Sequence, residues 1–297
     1  MERKQPFLLS IVIPTYNSIA FIEQTLTMLV RTLDTLECSK EIILVNDGST
    51  DSTVAVTKHW FNQQEHDGNL QFVIVENDAN YGQLIATING LKASRGTYIV
   101  IFDDDLQYFP EDILRLLHTI ERNYELEMVG GYPERIQHRR SIWIDMVSGL
   151  GKFLLATIFF PTFSKVKYFT SFKIFRRKAL FDDDGSFKNK NIYFFWDFNP
   201  HQIDSIAVQH QHSKRTKNNY NFLGFIHTFH HVLGKVVQNI CKVFFVILLM
   251  KALVFMFISK VGIVTMVLLF AMTWIIQLYL NRYKVNMMVK TFKITYL

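Results

Sequence analysis

Three consecutive carboxylates follow a short apolar run in the first half of the chain. The run at residues 98–102 is β-branched and aromatic, which predicts a buried strand, and Asp103, Asp104 and Asp105 come directly after it. Residues two apart on an extended segment point the same way, so Asp103, Asp105 and Gln107 can share one side. Three oxygen-bearing side chains on one side suit a hard divalent cation. The alternative is a solvated acidic turn that caps the next helix.

The elements that must position this turn alternate between strands and helices. Strands are predicted at residues 7–14, 41–46, 70–75 and 97–102, and helices at residues 19–36, 52–64 and 81–94. Further short strands are predicted at residues 126–130, 168–175 and 203–208. This alternation predicts a doubly wound α/β domain with parallel strands and helices on both faces. Ligands of such sheets bind outside the carboxyl ends of the strands, where the acidic turn would lie.

Polar loops leave the carboxyl ends of the first, second and fourth strands. Their sequences are Pro14-Thr-Tyr-Asn17, Asn46-Asp-Gly-Ser-Thr-Asp51 and Asp103-Asp-Asp-Leu-Gln107. Three polar loops at one edge of a parallel sheet form a crevice suited to a nucleotide. The chain has neither G-x-G-x-x-G nor G-x-x-x-x-G-K, which argues against a dinucleotide site and against a P-loop NTPase.

The composition indicates a protein that works at a membrane. Hydrophobic residues make up 49% of the chain, which has 27 Phe and a net charge of +6. No aromatic-interleaved basic motif is present, so nucleic acid is not expected as a partner, and anionic lipid headgroups explain the charge better. Cys38 and Cys241 lie far apart and the N-terminus lacks the apolar core of a signal peptide, which favours a reducing cytosolic face.

Two apolar runs near the end of the chain predict a transmembrane hairpin. Residues 261–280 carry no charge and are long enough to cross a hydrocarbon core of about 30 Å. Lys251 interrupts the run at residues 243–259, which therefore either crosses the bilayer or only dips into it. Most flanking cations lie outside the pair, which predicts a multi-pass protein of the inner (cytoplasmic) membrane with its catalytic domain in the cytoplasm.

The remaining boundaries follow from helical spacing and charge. Residues 141–160 form an apolar stretch that is either a core helix or an amphipathic interfacial helix, and Arg135, Arg139 and Arg140 just before it favour the interface. We expect a globular domain at residues 1–225, a juxtamembrane helix at 226–242, and two transmembrane segments with a basic cytoplasmic tail at 243–297.

Four ordered motifs carry a family resemblance. They occupy residues 11–17, 45–51, 80–83 and 103–107. Together they resemble glycosyltransferase family 2, and more narrowly the polyprenyl-phosphate glycosyltransferases, the group of dolichol-phosphate mannose synthase and the bacterial undecaprenyl-phosphate sugar transferases. The resemblance implies a single nucleotide-binding domain of GT-A type with a mostly parallel sheet, followed by the C-terminal transmembrane hairpin.

The resemblance also implies roles for the matching side chains. Those expected to bind the nucleotide are Pro14, Tyr16, Asn17, Asp47, Asp103 and Asp104. Those expected to shape the loop beside the donor sugar are Asn80, Gly82 and Gln83. Those expected to hold Mg²⁺ or Mn²⁺ are Asp103, Asp105 and Gln107, with Asp103 and Asp105 as the catalytic carboxylates. On local chemistry alone, Asp47 could instead be a turn-forming residue before a glycine.

Cations downstream of the acidic turn are candidates for holding the acceptor phosphate. They are Arg135, Arg139, Arg140 and Lys173. Each could instead only meet lipid headgroups. Three positions depart from the family pattern. Asp104 stands where a small residue is usual, Lys173 stands where Arg is usual, and Ser213 begins a segment in which only Tyr220 clearly matches. Lysine keeps the charge but loses bidentate phosphate geometry.

The predicted function is metal-dependent, inverting transfer of a sugar from a nucleotide-diphosphate sugar to a polyprenyl phosphate, undecaprenyl phosphate in a bacterium. The product would serve synthesis or modification of cell-envelope glycans. One alternative is a family 2 transferase with a glycan acceptor, although the Gln-x-x-Arg-Trp of processive synthases is absent. The other is a non-catalytic membrane-anchored scaffold. The sequence leaves open the sugar, the nucleotide and whether the protein is a homo-oligomer.

Overall fold

The chain divides into two compact units. One comprises Met1–Thr216 and Thr291–Leu297, and the other comprises Lys217–Lys290. The computed structural model describes residues 9–64, 68–134, 170–188, 190, 192, 197–211, 271–272, 275 and 292–297. Every strand and helix named below belongs to the first unit.

The first unit is built on an eight-stranded sheet. Its strands are β1 (Leu9–Thr15), β2 (Lys40–Asn46), β3 (Leu70–Asn77), β4 (Tyr98–Ile101), β5 (Met128–Pro133), β6 (Lys173–Arg176), β7 (Ile203–Val208) and β8 (Phe292–Tyr296). Its helices are α1 (Ile22–Leu33), α2 (Thr53–Asn62), α3 (Gln83–Ala93), α4 (Glu111–Arg122) and α5 (Arg177–Leu180). The strands lie in the spatial order β7-β5-β6-β4-β1-β2-β3-β8.

Most strands of this sheet run in one direction. β1 pairs in parallel with β2 and β4, β2 with β3, and β5 with β7. β6 is antiparallel to β4 and β5, and β8 is antiparallel to β3. The carboxyl ends of the six parallel strands therefore share one edge. The predicted mostly parallel sheet is confirmed.

Helices cover both faces of the sheet, as the alternating pattern predicted. Ile11 and Ile13 of β1 enter a core that α1, α2 and α4 cover, whereas Val12 enters the core beneath α3 and α5. The buried stripe of α4 contains Ile113, Leu116, Leu117 and Ile120, the spacing of an amphipathic helix. Burying one such side chain stabilises the fold by about 1.5–3 kcal/mol, so these stripes fix each helix against the strand ends.

The strand β8 was not predicted from the sequence. It lies at one side of the sheet, where Ile294 pairs with Val75 of β3. The guanidinium of Arg95 lies 5.5 Å from the ring centroid of Tyr296, a cation–π distance. Arg95 is itself held by the fully buried Glu41, at 2.9 Å from Nη2 to Oε2. The end of the chain, expected to be a basic tail, thus closes the edge of β3.

Several predictions lie outside the described residues. They concern the helix at residues 141–160, the juxtamembrane helix at 226–242, the run at 243–259 and nearly all of the run at 261–280. Across the part of the chain that the structure describes, no helix has both the length and the apolar character needed to cross a bilayer.

Candidate active site

The first two predicted loops form one hydrogen-bonded unit at the carboxyl edge of the sheet. The backbone N–H of Asn17 donates to Ser49 Oγ at 3.0 Å, and Asn17 Oδ1 accepts the N–H of Thr50 at 2.8 Å. Asn17 has a φ of 49°, a left-handed conformation that asparagine tolerates. Its side chain therefore joins the loop after β1 to the loop after β2. Its predicted nucleotide contact stays a prediction.

Asp47 supports the donor loop from within the protein. Its carboxylate is buried, with Oδ1 accepting the N–H of Tyr81 at 3.0 Å and Oδ2 accepting the N–H of Gly82 at 2.7 Å. Gly48 has a φ of 67°, and a Cβ there would lie 2.6 Å from the backbone of Ala79. A side chain at position 48 would therefore separate Asp47 from this loop.

Two buried asparagines extend this support, and the sequence analysis missed both. Asn77 Nδ2 donates to Asp47 Oδ1 at 2.8 Å, and Asn89 Nδ2 donates to Asn77 Oδ1 at 2.8 Å. The three side chains link β2, β3 and α3. The one available signal was Asn89, a polar residue inside a helix otherwise packed on the sheet. A buried network of this kind stabilises a structure only when each member is satisfied.

Asp103 receives hydrogen bonds from two neighbouring segments. Gln83 Nε2, at the first turn of α3, donates to Asp103 Oδ1 at 3.0 Å, and the hydroxyl of Ser171 donates to Oδ2. The pKa of Asp103 is raised to about 7, mainly by burial and in part by the Asp105 and Asp104 carboxylates, while the Ser171 hydrogen bond and the charge of Lys173 oppose the rise. The structure brings together Gln83 and Asp103, two residues that the family motifs predicted.

Lys173 lies behind this carboxylate. It is only 1% exposed, and its Nζ donates to the carbonyl of Ile192 at 2.9 Å. Burial lowers the pKa of Lys173 to about 7, and the charge of Asp103 opposes this shift. Its predicted contact with an acceptor phosphate stays a prediction, and the charges of Lys173 and Asp103 interact electrostatically.

Asp104 points into the fold. It is 5% exposed, its Oδ2 accepts the hydroxyl hydrogen of Ser18, and its carbonyl accepts that of Thr25 at 3.1 Å. This carboxylate joins the acidic turn to the segment between β1 and α1. The carboxylate that departs from the family pattern at this position is therefore used inside the protein. Binding of the nucleotide by Asp104 stays a prediction.

Asp105 and Gln107 lie partly exposed on either side of the buried Leu106. Asp105 Oδ1 accepts the backbone N–H of Gln107 at 3.3 Å, which is a long hydrogen bond. Among the described residues, no three His, Cys, Asp or Glu side chains converge as a closed metal site. Magnesium sites often use one or two carboxylates and complete the shell with substrate phosphates.

These residues fit a divalent cation on two grounds. Asp103, Asp105 and Gln107 supply oxygen donors, the ligand type that Mg²⁺ and Mn²⁺ prefer. Burial, and to a smaller extent the Asp105 and Asp104 carboxylates, raises the pKa of Asp103, and a bound cation would lower that pKa.

The other predicted residues have clear positions. Pro14 is buried in β1, opposite Val45 of β2, and Tyr16 is partly exposed just beyond the end of β1. Asn80 Oδ1 accepts the N–H of Gly82 at 3.1 Å, and Gly82 precedes α3 with a φ of 88° that favours glycine. The predicted acceptor residues Arg135, Arg139 and Arg140 lie outside the described residues.

The segment after β7 also reaches the acidic turn, which the sequence did not indicate. Tyr108 and His210 form an antiparallel bridge, and their ring centroids are 5.1 Å apart. The ring of Tyr108 also stacks on Phe172 at 4.9 Å. These contacts fix the far side of the acidic turn against β6 and β7.

Comparison with known proteins assigns the chain to a family. The model of the family described as glycosyl transferase family 2 matches residues 10–184. The chain is 34% identical over 134 residues to an undecaprenyl-phosphate 4-deoxy-4-formamido-L-arabinose transferase of Proteus mirabilis, covering 45% of this chain and 38% of that protein. It is also 34% identical over 128 residues to a dodecaprenyl-phosphate galacturonate synthase of Rhizobium johnstonii, covering 42% and 35%. The matches therefore span well under half of these relatives.

Solved structures share the fold. Glucosyl-3-phosphoglycerate synthase of Mycobacterium tuberculosis, in complex with Mn²⁺, UDP-glucose and phosphoglyceric acid, has a TM-score of 0.55 and 16% identity, covering 78% of this chain and 79% of that one. The same enzyme with UDP gives a TM-score of 0.54 at 17% identity, covering 78% and 79%. This likeness supports the predicted GT-A-like α/β domain with a mostly parallel sheet.

Asp105 and Asp104 should respond differently to substitution. Asp105→Asn removes charge from a partly exposed side chain, so it should abolish turnover and weaken Mn²⁺ binding without lowering the free energy of unfolding. Asp104→Ala removes the buried carboxylate that accepts the Ser18 hydroxyl, which should cost about 1–3 kcal/mol of stability and damage turnover much less. Denaturant unfolding and Mn²⁺ titration measure the two effects. Equal loss of Mn²⁺ binding in both variants would place Asp104 in the metal site.

Proposed function

Because the chain belongs to glycosyl transferase family 2, we propose that it transfers a sugar from a nucleotide-diphosphate sugar to a polyprenyl phosphate, with inversion at the anomeric carbon. The observation that carries the proposal is the acidic turn at the carboxyl edge, where Gln83 and Ser171 donate to Asp103. The relatives named as polyprenyl-phosphate transferases support the acceptor. Undecaprenyl phosphate is the acceptor in a bacterial source.

A phosphate acceptor does not require the protein to supply a strong general base. A phosphate monoester has a second pKa of about 6, so it is already largely a dianion near neutral pH. A sugar hydroxyl would instead need a residue to remove its proton. The protein must therefore mainly position the phosphate oxygen and stabilise the departing nucleoside diphosphate.

In this proposal the acidic turn acts on the leaving group, which is the nucleoside diphosphate. Asp105 and Gln107, with Asp103 assisting, hold a divalent cation in this proposal. When bound, Mg²⁺ or Mn²⁺ supplies positive charge that neutralises the nucleoside diphosphate as it leaves. The transition state has oxocarbenium character, as in other glycosyl transfers. The catalytic carboxylates Asp103 and Asp105 contribute through that electrostatic role.

The nucleotide lies across the loops after β1 and β2 in this proposal. Pro14 and Tyr16 frame it from β1, and the Asp47 network fixes the donor loop of Asn80 and Gly82 beside it. Support comes from the hydrogen bonds that join these loops, since a rigid crevice loses little entropy when it binds a ligand.

The acceptor phosphate approaches from the end of β5 in this proposal. β5 ends at Pro133, whose partner is Val208 at the end of β7, and the N–H of Glu134 donates to the carbonyl of Val208 at 3.0 Å. The carboxyl end of β5 shares its edge with that of β4. Arg135 is the next residue of the chain, and in this proposal the cations at 135, 139 and 140 hold the phosphate.

Membrane attachment through a hairpin at residues 243–280 completes the proposal. The unit Lys217–Lys290 interrupts the catalytic unit in sequence, because β7 precedes it and β8 follows it. A chain that leaves and rejoins one folded unit crosses a bilayer an even number of times. Two crossings match the two apolar runs and put both flanks in the cytoplasm.

The non-catalytic scaffold is not favoured. It rested on departures from the family pattern, and two of these have partners inside the fold. Asp104 bonds Ser18, and Lys173 bonds the carbonyl of Ile192. Both departures therefore have a structural use in the fold, so neither is evidence that the site has decayed.

The proposal is tested by the lipid product. Membranes containing the protein are incubated with a panel of nucleotide sugars, polyprenyl phosphate and Mn²⁺, and the lipids are analysed by mass spectrometry. We expect one glycosyl polyprenyl phosphate that Asp105→Asn membranes do not form. Transfer only to added glycan, or no transfer from any donor, contradicts the proposal.

Topology makes a separate prediction. A reporter fused after Leu297 should show cytoplasmic activity, because β8 pairs with the catalytic sheet. A tag inserted at Lys260, between the two runs, should react with a membrane-impermeant reagent from the opposite side. A Lys260 tag that stays protected would mean that residues 243–259 dip into the bilayer without crossing.

The acceptor cations give a kinetic prediction. Replacing Arg135 and Arg139 together by glutamine should raise the KM for polyprenyl phosphate at least about tenfold, because a charge-assisted contact contributes about 1.5–3 kcal/mol. The KM for the nucleotide sugar should hardly change, since the lost contact is to the acceptor alone.

The matched control replaces Arg31 and Arg122, which are exposed in the last turns of α1 and α4. This pair removes the same charge elsewhere on the domain and should leave both KM values unchanged. A rise in the KM for the nucleotide sugar instead would move the two arginines to the donor site. No change in either KM would leave the phosphate to other cations, such as those at residues 214–217.

A further inference from the structure

The acidic turn contains a backbone conformation that its sequence does not favour. Leu106 has a φ of 60° although it is not glycine, and its side chain is 1% exposed. A left-handed leucine is strained, and such residues persist only where their surroundings hold them. Leu106 lies between Asp105 and Gln107. Its backbone dihedrals therefore set the direction of one proposed metal ligand relative to the other.

One residue far along the chain forms two hydrogen bonds to this turn. The backbone N–H of Gln211 donates to the carbonyl of Gln107 at 2.9 Å, and Gln211 Nε2 donates to the carbonyl of Leu106. Two successive carbonyls of the strained turn are thus bonded by Gln211. The adjacent bridge between Tyr108 and His210 continues the same pairing.

We propose that Gln211 is a positioning residue, which holds Leu106 in its left-handed conformation so that Asp105 and Gln107 can bind one divalent cation. The inference rests on the metal-dependent chemistry proposed above. Without the side-chain bond, the turn can relax toward conformations that leucine prefers, and the two ligands then diverge. Gln211 would act on the cation only through the turn, without contacting it.

Two substitutions of Gln211 remove its side-chain hydrogen bond to the turn. Gln211→Glu keeps nearly the same size, but an ionised carboxylate has no hydrogen to donate to the carbonyl of Leu106. Gln211→Ala removes the side chain altogether. Both variants keep the backbone N–H that bonds Gln107. Gln209→Ala is the matched control, because Gln209 is an exposed glutamine on the same segment and only its backbone N–H bonds Asp112.

Mn²⁺ binding to the full-length protein in detergent tests the proposal, with free Mn²⁺ followed by electron paramagnetic resonance. Loss of one hydrogen bond predicts a Kd for Mn²⁺ about three- to tenfold higher in both Gln211 variants. Gln209→Ala should bind as the wild type does. Hydrogen exchange of the peptide spanning residues 103–108 should be faster in the Gln211 variants without metal.

Kinetics separate positioning from a general loss of structure. High Mn²⁺ should restore the turnover of the Gln211 variants, because the free energy of metal binding offsets the cost of ordering the turn. A misfolded variant would not recover. Unchanged Mn²⁺ affinity in both Gln211 variants, or a wild type that binds no Mn²⁺, would overturn the proposal. A wild type that binds Mn²⁺ in a Gln211-dependent way but forms no glycosyl lipid would overturn the proposed function and leave the role of Gln211 intact.

Discussion

Carboxylates withdrawn from water at the carboxyl edge of the sheet are the constraint on which the rest of the site depends. Asp47 is 3% exposed and Asp104 is 5% exposed. A buried carboxylate without partners is costly, so each must accept hydrogen bonds from the protein. Asp47 takes them from the donor loop, Asp103 from Gln83 and Ser171, and Asp104 from Ser18. The loops are held together because these charges require donors.

The same constraint gives the three carboxylates of the acidic turn different roles. Asp104 is buried and accepts a hydrogen bond from Ser18, whereas Asp105 is partly exposed and accepts a long hydrogen bond from the backbone of Gln107. Asp103 is intermediate between these two carboxylates. Both of its oxygens accept hydrogen bonds, and burial raises its pKa to about 7. Lys173 is a buried lysine that interacts electrostatically with Asp103, and burial lowers its pKa to about 7. The turn therefore combines one structural carboxylate with others whose charge suits a cation.

The two antiparallel strands, β6 and β8, add contacts that the parallel strands do not make. β6 lies between β4 and β5, and the residues just before it bring Ser171 to Asp103 and the ring of Phe172 to Tyr108. β8 covers the edge of β3 and returns the chain to the catalytic unit after the apolar runs. An uncovered edge strand invites pairing with other chains, which β8 prevents on that side of β3.

The sequence alone determined the elements and the place of the site. Apolar strands alternating with amphipathic helices can bury their faces in few ways, so the parallel sheet and its carboxyl edge followed from local periodicity. The ordered motifs identified the family by resemblance, and each of them lies within a few residues of a strand end. Most predicted boundaries of the first four strands lie within a few residues of those observed.

The tertiary structure alone decided which polar groups meet. Ser18 and Asp104 are 86 residues apart in the chain, and Gln211 and Leu106 are 105 apart. Neither pair has a local signal, because a serine or glutamine is equally acceptable on a solvated loop. β8 was missed for a similar reason, since five residues after a long apolar stretch gain their strand conformation only from β3. Local periodicity records which face of a segment is buried, whereas hydrogen bonds between distant residues exist only once the chain has folded.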